Sequence, residues 1–251
     1  MNILLIAPAA LLVLVIYGIP VFRYIWLSLH ATSVITGLHP IPNNGANWIR
    51  LFGDQRLFQD ALQTIRFTYV SVSLEIIIAI GVAILLNQNF RYRALVRTLT
   101  ILPWALPTTI MALGWKWIFN TPYGPFEQIL SQLKIEPLNI LSNPSITWIA
   151  TVIADVWKTT PFIAIIILAG LQTIPEELYE AFKLEGGGDF AAFRRITIPL
   201  LKPYIIISLL FRIAQSFGVF DLIQVMTGGG PASSTESLGI YAYLNAMRYM
   251  D

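Results

Sequence analysis

The chain has no cysteine and only two histidines, His30 and His39, both in one polar stretch. Disulfides and thiolate metal sites are therefore excluded, and the two histidines are expected as loop residues rather than metal ligands. Charge is also scarce. Only 12% of the 251 residues are Asp, Glu, Lys or Arg, against about 25% in soluble domains. The net charge of +2 is too small to indicate a nucleic-acid partner. No G-x-x-x-x-G-K-[ST] sequence occurs, so this chain lacks that route to binding ATP. The run Gly228 to Gly230 has no lysine after it. No paired carboxylates and no nucleophile–base pair stand on the apolar segments, which argues against an enzyme. What the chain has in abundance is apolar residues: 56% of the total, with a mean hydropathy of +0.67. That composition predicts an all-α membrane protein.

Six transmembrane helices are expected, at about 2–28, 65–89, 98–119, 146–171, 204–225 and 236–251. Asn2 to Phe22 is free of charge and long enough to cross a hydrocarbon layer of roughly 30 Å. It is too long for a signal-peptide core and lacks a basic start and a small-residue cleavage site. The second span contains Glu75, the third Pro103 and Pro107, and the fourth Asp155 and Lys158. Two polar stretches, 29–63 and 121–145, are read as outer loops. In the second, Phe126, Ile129, Leu130 and Leu133 recur at helical spacing and predict a short amphipathic surface helix. From Glu236 onward the chain gives about 24 Å of helix at 1.5 Å per residue. That is short of a full crossing, so the sixth span is expected to be incomplete and the chain trimmed at its C-terminus.

Basic residues set the orientation. Arg91, Arg93, Arg97, Lys183, Arg194, Arg195 and Lys202 follow the second and fourth spans, whereas only Arg50, Arg56 and Lys134 follow the others. The 88–97 and 173–203 segments are thus expected in the cytoplasm, with the N-terminus on the same side.

Residues 174–203, IPEELYEAFKLEGGGDFAAFRRITIPLLKP, are the longest charge-dense run in the chain. They read as two short helices joined at a glycine corner. Thr173 and Glu176 have capping-box spacing. Gly186, Gly187 and Gly188 would stop the first helix. Asp189 would cap the second, with Phe190 and Phe193 on one face and Arg194 and Arg195 near its end. Pro199 and Pro203 lead into the next apolar run.

The pattern Glu180-Ala181-Phe182, Gly186, then Ile196-Thr197-Ile198-Pro199 resembles the EAA loop of ABC-importer permeases, usually written E-A-A-x-x-x-G-x9-I-x-L-P. Phe182 stands for the second alanine and Ile198 for leucine. Three further stretches are similar to the maltose and trehalose branch of that family. They are Leu102 to Pro107 followed by Gly114 to Asn120, Ala169 to Tyr179, and Phe220-Asp221 with Thr227 to Pro231. The likeness runs from about the second span to the end. It implies the type I importer permease fold with cytoplasmic coupling helices. It also implies a bacterial inner-membrane protein that translocates by alternating access, for an oligosaccharide or related polyhydroxylated solute. The implied partners are a second homologous permease, two copies of an ABC ATPase that bind ATP and Mg, an extracytoplasmic solute-binding protein, and membrane lipid. Residues carried over to ATPase coupling are Glu180, Ala181, Gly186, Asp189, Phe190, Phe193, Arg194, Arg195 and Pro199. A permease for a non-sugar solute is the nearest alternative. An ion-coupled carrier, with Glu75, Asp155, Lys158, Arg212 and Asp221 as a relay, is more distant, because no internal repeat is seen.

Charges within spans are costly and are functional candidates by default. Asp155 and Lys158, three apart, are expected to pair with each other. Glu75 is expected at a helix interface. Ser208, Arg212 and Gln215 share a stripe that lines either the solute path or a subunit contact. Arg212 and Asp221 fall on opposite faces. The substrate-path candidates are Ser208, Arg212, Gln215, Asp221, Lys158 and Trp115. Trp104, Trp115, Trp117, Trp148 and Trp157 suit both stacking on sugar rings and anchoring at a membrane interface, and the second use is the commoner one.

Overall fold

A computed structural model describes residues 2–31 and 39–249. The chain divides into two units, 1–59 and 60–251. In the first, α1 (Asn2–Val13) runs through a wide π-helical turn, Leu14–Gly18, into α2 (Ile19–Ser28). Ile6–Ser28 is long and apolar enough to cross a membrane. A two-residue ribbon pairs His30–Ala31 with Ile41–Pro42 in antiparallel register. After it α3 (Ala46–Gly53) is pinned by Asn47, whose amide donates to the carbonyls of Ser28 and His30 at 3.1 and 3.0 Å.

The second unit is built around one helix. α8 (Pro144–Leu171) starts cleanly because the Asn143 side chain accepts hydrogen bonds from the backbone of Ser145 and Ile146, with Pro144 in the first turn. Its sequence is dense in Ile, Ala and Thr. The Thr151 hydroxyl satisfies itself on the Thr147 carbonyl one turn back. Toward one end, Ile163, Ala164, Ile167 and Leu168 of α8 pack with Ala79, Ala83 and Leu86 of α4 (Gln55–Asn87) and Leu201 of α11 (Ile198–Phe217). Toward the other, Ala150 and Ala154 pack with Met111 and Ala112 of α6 (Thr108–Ile118) and with Leu222 and Met226 of α12 (Asp221–Met226).

Among the described residues four helices, or five if one sharply bent pair counts as a single span, are long and apolar enough to cross a membrane. Four helical segments pass on length and hydropathy: Ile6–Ser28, Gln55–Asn87, Pro144–Leu171 and Asp189–Phe217. The third expected span is not one rod. α5 (Arg93–Ala105) and α6 meet at a 90° corner, because Pro107 has no N–H to continue α5 and forces Leu106 into extended backbone. The fifth span starts earlier than residue 204 and ends at Phe217, and α12 is separate from it beyond a break at residues 218–220. The last segment is α13 (Leu238–Tyr243), continued as a π-helical turn over Leu244–Tyr249. Residues 250–251 lie outside the described part.

The expected amphipathic helix is present as α7 (Pro125–Gln132). Its inward face is Phe126, Glu127 and Leu130, while Ile129 and Leu133 are exposed.

Candidate functional site

Two places in the second unit concentrate the predicted residues: a hairpin between α8 and α11, and a cluster of buried charge farther along α11.

The hairpin's first limb is α9 (Glu176–Leu184). The expected capping box does not form. The N-cap is Pro175, without a side-chain cap, and the Thr173 hydroxyl donates back to the Gly170 carbonyl at 2.7 Å. The glycine corner behaves as expected. The Gly187 N–H reaches the Phe182 carbonyl at 2.9 Å and the Gly186 N–H reaches that of Lys183 at 3.0 Å, the paired bonds of a Schellman cap. Gly186 has φ +83°, and a Cβ on Gly187 would fall 2.1 Å from the Phe182 ring. Gly188 has neither constraint.

The second limb corrects the expectation of a separate short helix. α10 (Asp189–Ala192) passes through a wide π-helical turn, Phe193–Thr197, directly into α11, giving one helical run Asp189–Phe217. The widened turn lets Ile198 donate to the Phe193 carbonyl. That relieves the clash and the missing donor that Pro199 would otherwise impose one turn on. Arg194 and Arg195 therefore sit within a continuous helix, not at a helix end. Asp189 is the first residue of its helix rather than a cap, and it pairs with Lys183 at 3.2 Å on the exposed surface.

Glu180, Ala181, Gly186, Arg194, Arg195 and Pro199 are exposed and Phe193 is half-buried. Leu184 and Phe190 stand out at 90% and 79% exposure. The Tyr179 hydroxyl, 2.9 Å from that of Thr197, ties the two limbs together.

The charge cluster joins three helices. Arg212 of α11 presents Nε to Oε2 of Glu75 at 2.6 Å and Nη2 to Oε1 at 2.7 Å, a bidentate pair. Nη2 also reaches Oδ2 of Asp155 at 3.0 Å, and Nη1 donates to Gln215 at 3.1 Å. The Thr159 hydroxyl donates to Glu75 at 2.6 Å. The Ser71 hydroxyl lies within reach of both Glu75 and Asp155. All three charged groups are buried. Each would cost about 2.5–3.5 kcal/mol alone at a span centre. Together they satisfy one another, and removing one partner typically costs about 3–5 kcal/mol.

The other path candidates disperse. Asp155 does not pair with Lys158, because Arg212 occupies its carboxylate. Lys158 instead donates to the carbonyls of Leu106 and Trp104, at 2.6 and 3.4 Å, which the corner between α5 and α6 leaves without helical partners. Asp221 is exposed in the first turn of α12, outside the fifth span. Ser208 is buried, and Gln215 is exposed beyond its bond to Arg212. Trp115 packs half-buried against the α6–α8–α12 core, edge-on to Trp157 at 5.7 Å between centroids. Trp104 stacks on Phe162, and Trp148 lies under the Arg66 guanidinium. Sequence reasoning missed the Glu75–Arg212 pair, whose members are 137 residues apart. The only sequence signal for it was an unmatched charge on each span.

Several apolar helices long enough to cross a membrane, an exposed polar hairpin continuous with one of them and a buried three-helix charge cluster describe a multi-pass membrane protein. Residues 75–249 match the profile of the binding-protein-dependent transport system inner membrane component, and the chain belongs to that family. It is 42% identical over 241 residues to the trehalose/maltose transport system permease protein MalF of Thermococcus litoralis, covering 96% of this chain and 81% of that protein. It is 35% identical over 251 residues to the sulfoquinovosyl glycerol transport system permease protein SmoG of Agrobacterium fabrum, covering 100% of this chain and 82% of that protein. Among solved structures it is similar in fold to a chain of a bacterial alginate ABC transporter crystallised with an alginate pentasaccharide-bound periplasmic protein. The TM-score is 0.82 at 20% identity, over 98% of this chain and 83% of that one.

Proposed function

We propose that this chain is the translocation subunit of an ATP-driven, binding-protein-dependent importer for an oligosaccharide or related polyhydroxylated solute. The carrying observation is the hairpin. Leu184 and Phe190 are large apolar side chains left almost bare on a short, charged element, which gives the hairpin apolar surface that a partner could bury. The hairpin carries the Glu180-Ala181-Phe182 and Gly186 pattern. In this reading it seats in a groove on an ABC ATPase, with Leu184 and Phe190 as plugs and Glu180 at the rim. Two ATPase copies bind ATP and Mg, and a second homologous permease completes the path. A solute-binding protein delivers cargo from outside. ATP-driven closure of the ATPase pair displaces the hairpin, and the spans tilt to open outward. The N-terminus, the Arg91–Arg97 turn and the hairpin then face the cytoplasm, in keeping with their basic residues. The sugar class rests on the names of the relatives above.

The test is uptake by the full complex in proteoliposomes with its binding protein, using labelled trehalose, maltose and glutamine as probes. ATP-dependent uptake of a sugar but not of glutamine is expected. Leu184→Cys should cross-link to the ATPase subunit. A hairpin labelled only from outside the cell, or uptake driven by an ion gradient without ATP, would overturn this reading.

A further inference from the structure

Arg212 carries hydrogen bonds from α11 to both α4 and α8, two to Glu75 and one to Asp155. Elsewhere the three helices meet through Ala79, Ala83, Ile163, Ala164, Ile167 and Leu201. The hydrophobic force behind such contacts is non-directional, so they hold rotation and sliding about a helix axis only through the fit of their side chains. A guanidinium fork on a carboxylate does, because its two parallel bonds hold one orientation. One turn to either side of Arg212 on the same face, the buried hydroxyls of Ser208 and Ser216 make no hydrogen bond among the described residues. Arg212 is also carried by the helical run that begins at Asp189 in the hairpin, about 35 Å away along the axis.

We propose that Glu75, Arg212 and Asp155 are positioning residues that key α11 to α4 and α8. A displacement of the hairpin then turns the three helices as one block instead of sliding α11 past the other two. This rests on reading the hairpin as the ATPase contact. It predicts that loosening the key spends ATP without moving solute.

The experiment compares Arg212→Lys with the unaltered complex in proteoliposomes, reading ATP consumed per labelled sugar transported. Lysine keeps the charge and loses the fork, so assembly should hold while the ratio rises about tenfold. Exchanging the partners, Glu75→Arg with Arg212→Glu, should bring the ratio back toward its original value. An unchanged ratio in Arg212→Lys overturns the proposal. So does a fall in uptake matched by an equal fall in assembled complex, since that marks packing alone. Should Arg212→Lys not assemble, Glu75→Gln decides by the same ratio. The Leu184→Cys cross-link separates the two failures. If it is lost in the otherwise unaltered complex, the hairpin reading falls. If it is intact beside an unchanged ratio, only the key is overturned.

Discussion

The ring of Tyr204 on α11 occupies the space a Cβ on Gly170 of α8 would need, at 2.6 Å, and Leu201 crowds the same point at 2.9 Å. Glycine is what lets these two helices close on each other just before the chain enters the hairpin. Gly170→Ala should therefore lower the thermal midpoint of the purified complex, through about 1–3 kcal/mol of overpacking. A melting curve unchanged by the added methyl would mean that the helices stand farther apart than described.

The three glycines of the hairpin are not equivalent, and substituting each by alanine should rank them. Gly188→Ala should be close to neutral. Gly186→Ala should cost about 1–2 kcal/mol, because φ +83° is a left-handed conformation that side chains other than glycine resist. Gly187→Ala should be the most damaging, since Phe182 must leave its place. Tryptic cleavage at Lys183 under native conditions reads this order directly. Equal rates in the three variants would refute it.

Lys158 serves carbonyls rather than a carboxylate, so charge alone is not what it contributes. Lys158→Met should leave Leu106 and Trp104 without their donor and cost about 1–3 kcal/mol, by the penalty for an unsatisfied polar group. Lys158→Arg should retain most of that stability. Thermal unfolding of the two variants in the same detergent makes the comparison, and equal losses would contradict the capping role.

Much of this architecture was legible in the linear sequence because its causes are local. The places of the long helices follow from apolar runs, though α4 and the run Asp189–Phe217 begin well before theirs, and the glycine corner follows from the intolerance of other residues for its backbone conformation. What escaped depends on partners distant in the chain. Asp155 and Lys158 are neighbours on one helix turn, yet each found a better partner on another helix, Arg212 for one and the α5 carbonyls for the other. The weld between hairpin and span was hidden for a related reason. Proline at 199 reads as a boundary, and only a wide turn at Phe193–Thr197, which no residue pattern announces, lets the helix run through it. The sharpness of the corner at Pro107 was not legible either. Pro103 and Pro107 stand in one apolar run, and nothing in that run announces that the chain turns a right angle there.

That corner has a bearing on how the subunit lives in the cell. Residues Ala105 to Pro107 are exposed, with Trp104 beside them at 40% and Leu106 at 42%, and their backbone is not helical throughout. Lys158 serves two of the corner's carbonyls, but hydrocarbon does not accept irregular backbone of this kind, whereas a protein wall or a wet cleft does. A copy synthesised without companions would leave an ill-solvated elbow facing acyl chains. Unaccompanied copies should then be short-lived targets for membrane proteolysis, and co-expression of the second permease proposed above should lengthen their half-life.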